Sequence, residues 1–210
     1  MPSRLNSETT QAGTRKSWFS LSNIITAVIV VFVLAMVVSP NFKGQVIRAL
    51  MHVGLFQPDL QDQPQRSAGS EGPAAETSAS FTDINGKVIN VSDLKGKVVF
   101  INFWATWCPP CIAEMPTIQL LYSRYKDNPR VVFIMADMDG DLTASSAFMK
   151  KRAFEMPLYM ATSKLPESYF SGSLPTTVVL DAQGEIAFHH IGAADYSSPK
   201  FFTFIDQLIR

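Results

Sequence analysis

Two cysteines are the chain's most reactive side chains, and they stand three positions apart in Trp107-Cys108-Pro109-Pro110-Cys111. A CxxC pair closes almost no loop, so as a staple it removes little unfolded-state entropy. A structural zinc site needs four ligands. The remaining soft candidates, His52, His189 and His190, do not sit at finger spacing, so no metal site is expected. The chemistry left to such a pair is thiol–disulfide exchange. At the start of a helix, residues three apart can bring their Cα atoms within disulfide range, about 4.4–6.8 Å. Unpaired amides and the positive end of the helix dipole there favour a thiolate. The acidity of Cys108 should therefore rise, with a pKa below the free value of about 8.5. Cys108 is the expected nucleophile. Cys111, one turn further in, is the expected resolving thiol, which displaces the mixed disulfide. Pro109 and Pro110 carry no amide hydrogens for the thiolate, which argues for a pKa nearer about 7 than about 4.

The residues around the pair supply the required strand–helix junction. Val98 to Trp104 is a continuous apolar run with β-branched members, the pattern of a strand buried on both faces. The two prolines suit the first turn of a helix over 112–125. Upstream, Phe81 to Val91 reads as a hairpin with a type I′ turn at Asn85-Gly86. Downstream, the expected order is a strand over 131–136, a helix over 142–153 and a short strand over 158–160. A helical turn over 165–170 follows. Strands over 176–180 and 185–191, joined at Asp181 to Gly184, and an amphipathic helix over 201–209 complete the chain. The sum is an α/β fold, a mixed sheet flanked by helices with an N-terminal hairpin extension.

Ahead of this domain the chain changes character. A polar tail, 1–20, carries Arg4, Arg15 and Lys16; residues 21–39 are free of charge and apolar enough to be read as a transmembrane anchor. The apolar run is long for a signal peptide and ends without a good small-x-small site, so an uncleaved anchor is expected. Basic residues before the span place the N-terminus in the cytoplasm and the rest outside, although Lys43 and Arg48 work against this. Residues 40–56 have the spacing of an amphipathic helix, suited to a membrane surface or to docking on the domain. Residues 57–78 contain no aromatic and no β-branched aliphatic side chain and read as a flexible linker. The domain proper spans 79–210. With 18 basic and 18 acidic residues, the chain has no basic excess to bind nucleic acid.

The run Phe103-Trp104-Ala105-Thr106-Trp107-Cys108-Pro109-Pro110-Cys111 resembles the thioredoxin superfamily. Within it, the run is most similar to the TlpA/ResA-like branch of membrane-anchored disulfide reductases, related to the redoxin and AhpC-TSA proteins. The resemblance covers 79–210 and implies a thioredoxin fold with a redox-active Cys108–Cys111 disulfide and no cofactor. It implies that Pro116 kinks the active-site helix, that Pro175 is a cis-proline beside the dithiol, and that Leu174 offers its backbone to substrate. Glu114 matches the branch's acidic residue that manages protons at the resolving thiol. Asn102 stands where ordinary thioredoxins carry a buried aspartate, and is a weaker candidate for proton transfer. Trp107 is expected to shape the docking surface and Trp104 to belong to the core. The implied clients are exported disulfide-containing proteins, either apocytochrome c or a copper-site assembly protein. The implied electron donor is a membrane protein of the DsbD or CcdA type, in the bacterial inner membrane. A net oxidase or isomerase shares the motif. A thiol peroxidase and a copper metallochaperone fit less well.

Other features have plainer readings. Asp137-Met138-Asp139-Gly140-Asp141 departs from an EF-hand at its glycine and at Phe148, and reads as a loop capping the next helix. The scattered methionines read as core filler. Alternation sends His189 and His190 to opposite faces of a strand.

Overall fold

The computed structural model describes residues 21–38 and 79–210. The expected polar tail over 1–20, juxtamembrane helix over 40–56 and linker over 57–78 lie outside the described residues, as does Ser39. The chain divides into two units, Met1–Ser39 and Pro40–Arg210.

In the first unit, Leu21–Val38 forms α1, which carries neither an acidic first turn nor a basic last turn. Its described side chains, Asn23 through Leu34, are exposed, including Val31 at 66%. Among the described residues no helix is long and apolar enough to cross a membrane. The membrane-crossing helix expected over 21–39 is therefore not met by the described helix alone.

The second unit is built on a seven-stranded mixed sheet. Its strands are β1 (Ser80–Asp83), β2 (Val88–Asn90), β3 (Val98–Trp104), β4 (Val131–Asp137), β5 (Leu158–Ala161), β6 (Thr176–Leu180) and β7 (Ile186–Ile191). The spatial order is β2-β1-β5-β4-β3-β6-β7. The β3–β4 and β4–β5 pairs are parallel and the remaining pairs antiparallel. Parallel neighbours need crossovers, supplied by α2 (Pro109–Tyr125) between β3 and β4 and α3 (Leu142–Lys151) between β4 and β5. A final helix, α4 (Pro199–Leu208), follows β7.

Strand β3 sits in the middle and is buried at every position. Its side chains alternate between two cores. Val98, Phe100 and Trp104 join Met115, Ile118 and Leu121 of α2, Met149 of α3, and Phe201 and Ile205 of α4. Val99, Ile101 and Phe103 join Phe81, Ile134, Val178 and Tyr169 on the opposite side. Among the described residues, α2, α3 and α4 contribute to the first core and none of the three to the second. The second core is closed by Val91, in a 3-10 turn over Val91–Leu94, and by Leu165, Tyr169 and Phe170. Phe81 of β1 lies on the same face, with its ring 6.4 Å from that of Phe103.

Two turns differ from, or sharpen, their expected form. The Asn85-Gly86 hairpin forms, but positive φ occurs at Gly86 and not at Asn85, which excludes a type I′ turn. Asp83 O accepts from Gly86 N, while Asp83 Oδ1 accepts from the amides of Asn85 and Lys87. The carboxylate organises a three-residue loop that closes on a left-handed glycine. Asp181 repeats the device with Gly184, Gln183 and Glu185. Helix α3 ends at Lys151, short of the expected Ala153, because Ala153 adopts φ 56° and Phe154 N returns to Met149 O.

Candidate active site

Cys108 is the N-cap of α2, and Pro109 opens the helix. The prolines remove two of the amides that a helix start leaves unpaired. The next one, Cys111 N–H, donates to Cys108 Sγ at 3.3 Å. Cys108 and Cys111 form a disulfide with Cα atoms 5.3 Å apart, so both are held in exchange geometry by the first turn itself. Cys111 is fully buried, Cys108 retains 3% of its surface, and Trp107 beside them is 69% exposed. The outer sulfur belongs to Cys108, and the indole before it stands free on the surface. Trp104, by contrast, is buried against Phe148, ring centroids 5.7 Å apart.

The loop into the dithiol is fixed from β4's end. Asp139 Oδ2 accepts from Thr106 N at 2.9 Å and from Thr106 Oγ1 at 2.6 Å. Met138 N donates to Trp104 O. Asp141 caps α3 through the amides of Thr143 and Ala144. The acidic run therefore divides its work between a helix cap and the active-site loop. Among the described residues no group of three or more His, Cys, Asp or Glu could hold a metal ion.

The Leu174–Pro175 bond is cis and leads into β6. β6 runs antiparallel to β3, with Phe103 opposite Thr176, so Pro175 lies at the same end of the sheet as Trp104 and the dithiol loop. Leu174 is partly buried and packs against both cores. Helix α2 continues through Pro116 to Tyr125.

Below the dithiol lies a buried polar group that crosses the fold. Glu114, one turn after Cys111, has no exposed surface. Its Oε1 accepts from Asn102 Nδ2 at 2.8 Å, and its Oε2 accepts from Ala194 N at 3.2 Å. Asn102 Nδ2 also donates to Thr177 Oγ1 at 2.9 Å. Burial pushes the Glu114 carboxyl up to about 8, and the bonds from Asn102 and Ala194 only partly oppose it. Tyr196 is fully buried nearby; desolvation and the Glu114 charge push its phenol well above the usual range. Tyr196 N donates to Thr117 Oγ1, and Thr117 Oγ1 to Glu114 O, which ties the 194–196 segment to this turn of α2.

The structure thus joins Cys108 to Cys111 by a disulfide and Asn102 to Glu114 by a hydrogen bond, with Glu114 one turn along α2 from Cys111, Trp107 exposed before the pair, and Leu174–Pro175 at the same sheet end. Sequence reasoning missed Thr177, Ala194, Tyr196 and Asp139 as site residues. Thr177 carries a local signal, two positions after the proline of Leu174-Pro175-Thr176-Thr177. Ala194 acts through its backbone and Tyr196 through burial, and neither property is written in residue type.

A mixed sheet with a CxxC pair capping the helix after its central strand, and a cis-proline opening the adjacent strand, defines a thioredoxin-like thiol–disulfide oxidoreductase. The redox centre is the cysteine pair itself, with no cofactor. The chain belongs to the Redoxin family, which it matches over residues 67–203. It is 37% identical over 139 residues to the thiol-disulfide oxidoreductase ResA of Bacillus cereus, covering 66% of this chain and 78% of that one. It is 35% identical over 121 residues to the ResA of Bacillus subtilis, covering 57% and 65%. The crystal structure of StoA from Bacillus subtilis superposes with a TM-score of 0.51 at 26% identity, over 62% of this chain and 99% of that one.

Proposed function

We propose that the chain is a disulfide reductase acting on exported proteins, with Cys108 as nucleophile and Cys111 as resolving thiol. The observation that carries this assignment is the difference in position. Cys108 holds the outer sulfur at the helix N-cap, while Cys111 is sealed one turn in, beside a carboxyl of raised pKa.

The Cys108 thiolate attacks one sulfur of a substrate disulfide. That S–S bond breaks, a Cys108–substrate disulfide forms, and the other substrate sulfur leaves as a thiolate that takes up a proton. Glu114, as carboxylate, accepts the Cys111 proton. The Cys111 thiolate then attacks Cys108 Sγ, the Cys108–Cys111 disulfide forms, and the second substrate thiolate departs. Substrate gains two electrons and the dithiol loses two. A carboxyl raised to about 8 lies far closer to the about 8.5 of a free thiol than an ordinary carboxyl does, which suits it to exchange a proton with one. Exposed Trp107 and the Leu174–Pro175 edge form the surface against which an extended substrate docks.

Regeneration requires a reductant, for which a membrane dithiol donor of the DsbD or CcdA type is the natural partner in an oxidising compartment. Clients of cytochrome c maturation or copper-site assembly suit such a reductase. Placement in the bacterial inner membrane, with the domain outside, is supported by sequence. No Asp, Glu, Lys or Arg stands between Lys16 and Lys43, so the sequence around α1 carries no charge that a membrane would exclude.

The test is capture in cells. Cys111→Ser halts exchange at the mixed disulfide, and mass spectrometry of the trapped species identifies the client. Exported proteins bearing cysteine pairs are the expected catch. A yield of cytosolic proteins alone, or no adduct while the unaltered chain turns over, contradicts the proposal.

A further inference from the structure

The buried polar group contains an acceptor without a partner. Asn102 has no exposed surface, and while its Nδ2 serves both Glu114 and Thr177, its Oδ1 is buried and bonded to nothing. Both carboxyl oxygens of Glu114 face N–H donors, Asn102 Nδ2 on one side and Ala194 N on the other. That arrangement suits a carboxylate. Protonation places a hydrogen on one of those oxygens, opposite an N–H that also points at it, and two hydrogens cannot share one hydrogen bond. The neutral acid needs an acceptor in the place where Nδ2 now stands. The same amide carries one at its other end. A half-turn about the terminal torsion brings Oδ1 to face Glu114 and the Thr177 hydroxyl, both of which can then donate to it. Terminal amide torsions are broad and allow this exchange of ends.

We propose that the Asn102 amide is a two-position rotor, presenting its N–H groups to charged Glu114 and its oxygen to protonated Glu114, and so acts as the positioning residue for proton transfer at Cys111. Each position leaves one amide atom unpaired in the core, so neither wins alone and the proton on Glu114 decides. An aspartate at 102 could not donate to the charged form, and an apolar residue could serve neither. The Thr177 bond places the rotor against β6, the strand opened by cis-Pro175. The groups to consider around Glu114 are Cys111 on α2, which does not titrate while held in the disulfide, Tyr196 beyond β7, and His190, which pairs with Thr177 across β6 and β7. β3 and β6 contribute Asn102 and Thr177, which do not titrate.

The use made of the proton rests on the exchange mechanism proposed above; the rotor does not. The experiment is a pH titration of the oxidised full-length protein by NMR, labelled on asparagine side-chain nitrogen and glutamate carboxyl carbon. The Asn102 signal is assigned by its loss in Asn102→Asp or, should that chain not fold, in Asn102→Ser. The Asn102 amide is expected to move in a single sigmoid with the midpoint of the Glu114 carboxyl, and to become flat through that range in Glu114→Gln. A flat Asn102 signal beside a titrating Glu114 overturns the rotor and leaves the exchange mechanism standing. A Glu114 that does not titrate overturns both. In kinetics, Asn102→Ser is expected to shift the pH profile of mixed-disulfide release and slow it about tenfold at neutral pH, the effect of one pKa unit. An unchanged profile in a folded variant also overturns the proposal.

Discussion

Pro110 and Glu114 tune the two thiols in separate ways, and each can be tested alone. Pro110 occupies the second turn position of α2, where an ordinary residue would aim a second amide at the Cys108 sulfur. Pro110→Ala restores that donor beside the existing Cys111 N–H. The account predicts a fall of about one unit in the Cys108 pKa, read from thiolate absorbance against pH, together with a more oxidising dithiol. An unchanged titration would show that the amide does not reach the sulfur. Glu114 has the opposite character, since its environment penalises charge. Its carboxyl sits at 4.5 ordinarily and at about 8 when folded, so the folded chain holds a proton that the unfolded chain releases. Its contribution to stability is fully present below 4.5 and is lost as pH rises through about 8. Glu114→Gln should remove this slope, which reaches at most about 1.4 kcal/mol per pH unit, in denaturant melts taken across that window. The same change should slow mixed-disulfide release by about a hundredfold. The cysteines and their spacing were legible at this scale because a single stretch of sequence holds them. Glu114 was legible by resemblance. Its partners were not: Ala194 acts with a backbone amide and Tyr196 with a buried ring, and only tertiary packing selects them.

Among the elements, the loop from β3 to α2 depends on an anchor in a different crossover. Asp139 holds Thr106 through both its amide and its hydroxyl, and so fixes the approach to Trp107 and Cys108. Asp139→Ala removes the acceptor of both bonds and leaves the Thr106 amide and hydroxyl without it. It should cost about 1–3 kcal/mol in unfolding free energy and raise the KM for a disulfide substrate more than it lowers kcat. Equal losses in both would place Asp139 elsewhere in the account. Ala153 gives a prediction of the opposite sign. It closes α3 at φ 56°, where a Cβ is strained, so Ala153→Gly should stabilise the fold by about 1 kcal/mol in the same melts. The strands and helices were read from apolar runs and spacing, and their order agrees with the structure. The type I′ turn was misjudged because Asn-Gly alone does not fix loop length; the Asp83 carboxylate does. The end of α3 was placed late because alanine is an ordinary helix former, and its left-handed conformation is imposed by closure onto Met149.

For the molecule as a whole, the central sheet keeps two cores apart, and one of them bears the chemistry. Phe100 links β3 to the last helix, with its ring 5.4 Å from Tyr196 and 6.4 Å from Phe201. Which side α2, α3 and α4 take could not be read from periodicity, because β3 is apolar on both faces and gives no sign of what covers each. The uncharged stretch from residue 17 to 42 predicts that the full chain sediments with membranes and resists alkaline extraction, whereas a chain lacking residues 1–39 does not. Recovery of the full chain in the soluble fraction would remove the proposed anchor without touching the redox centre. That centre is tested most directly by insulin disulfide reduction with Cys108→Ser compared with the unaltered protein. The account predicts that this variant falls to the uncatalysed rate, because Cys111 is sealed from substrate; turnover near that of the unaltered chain would contradict it.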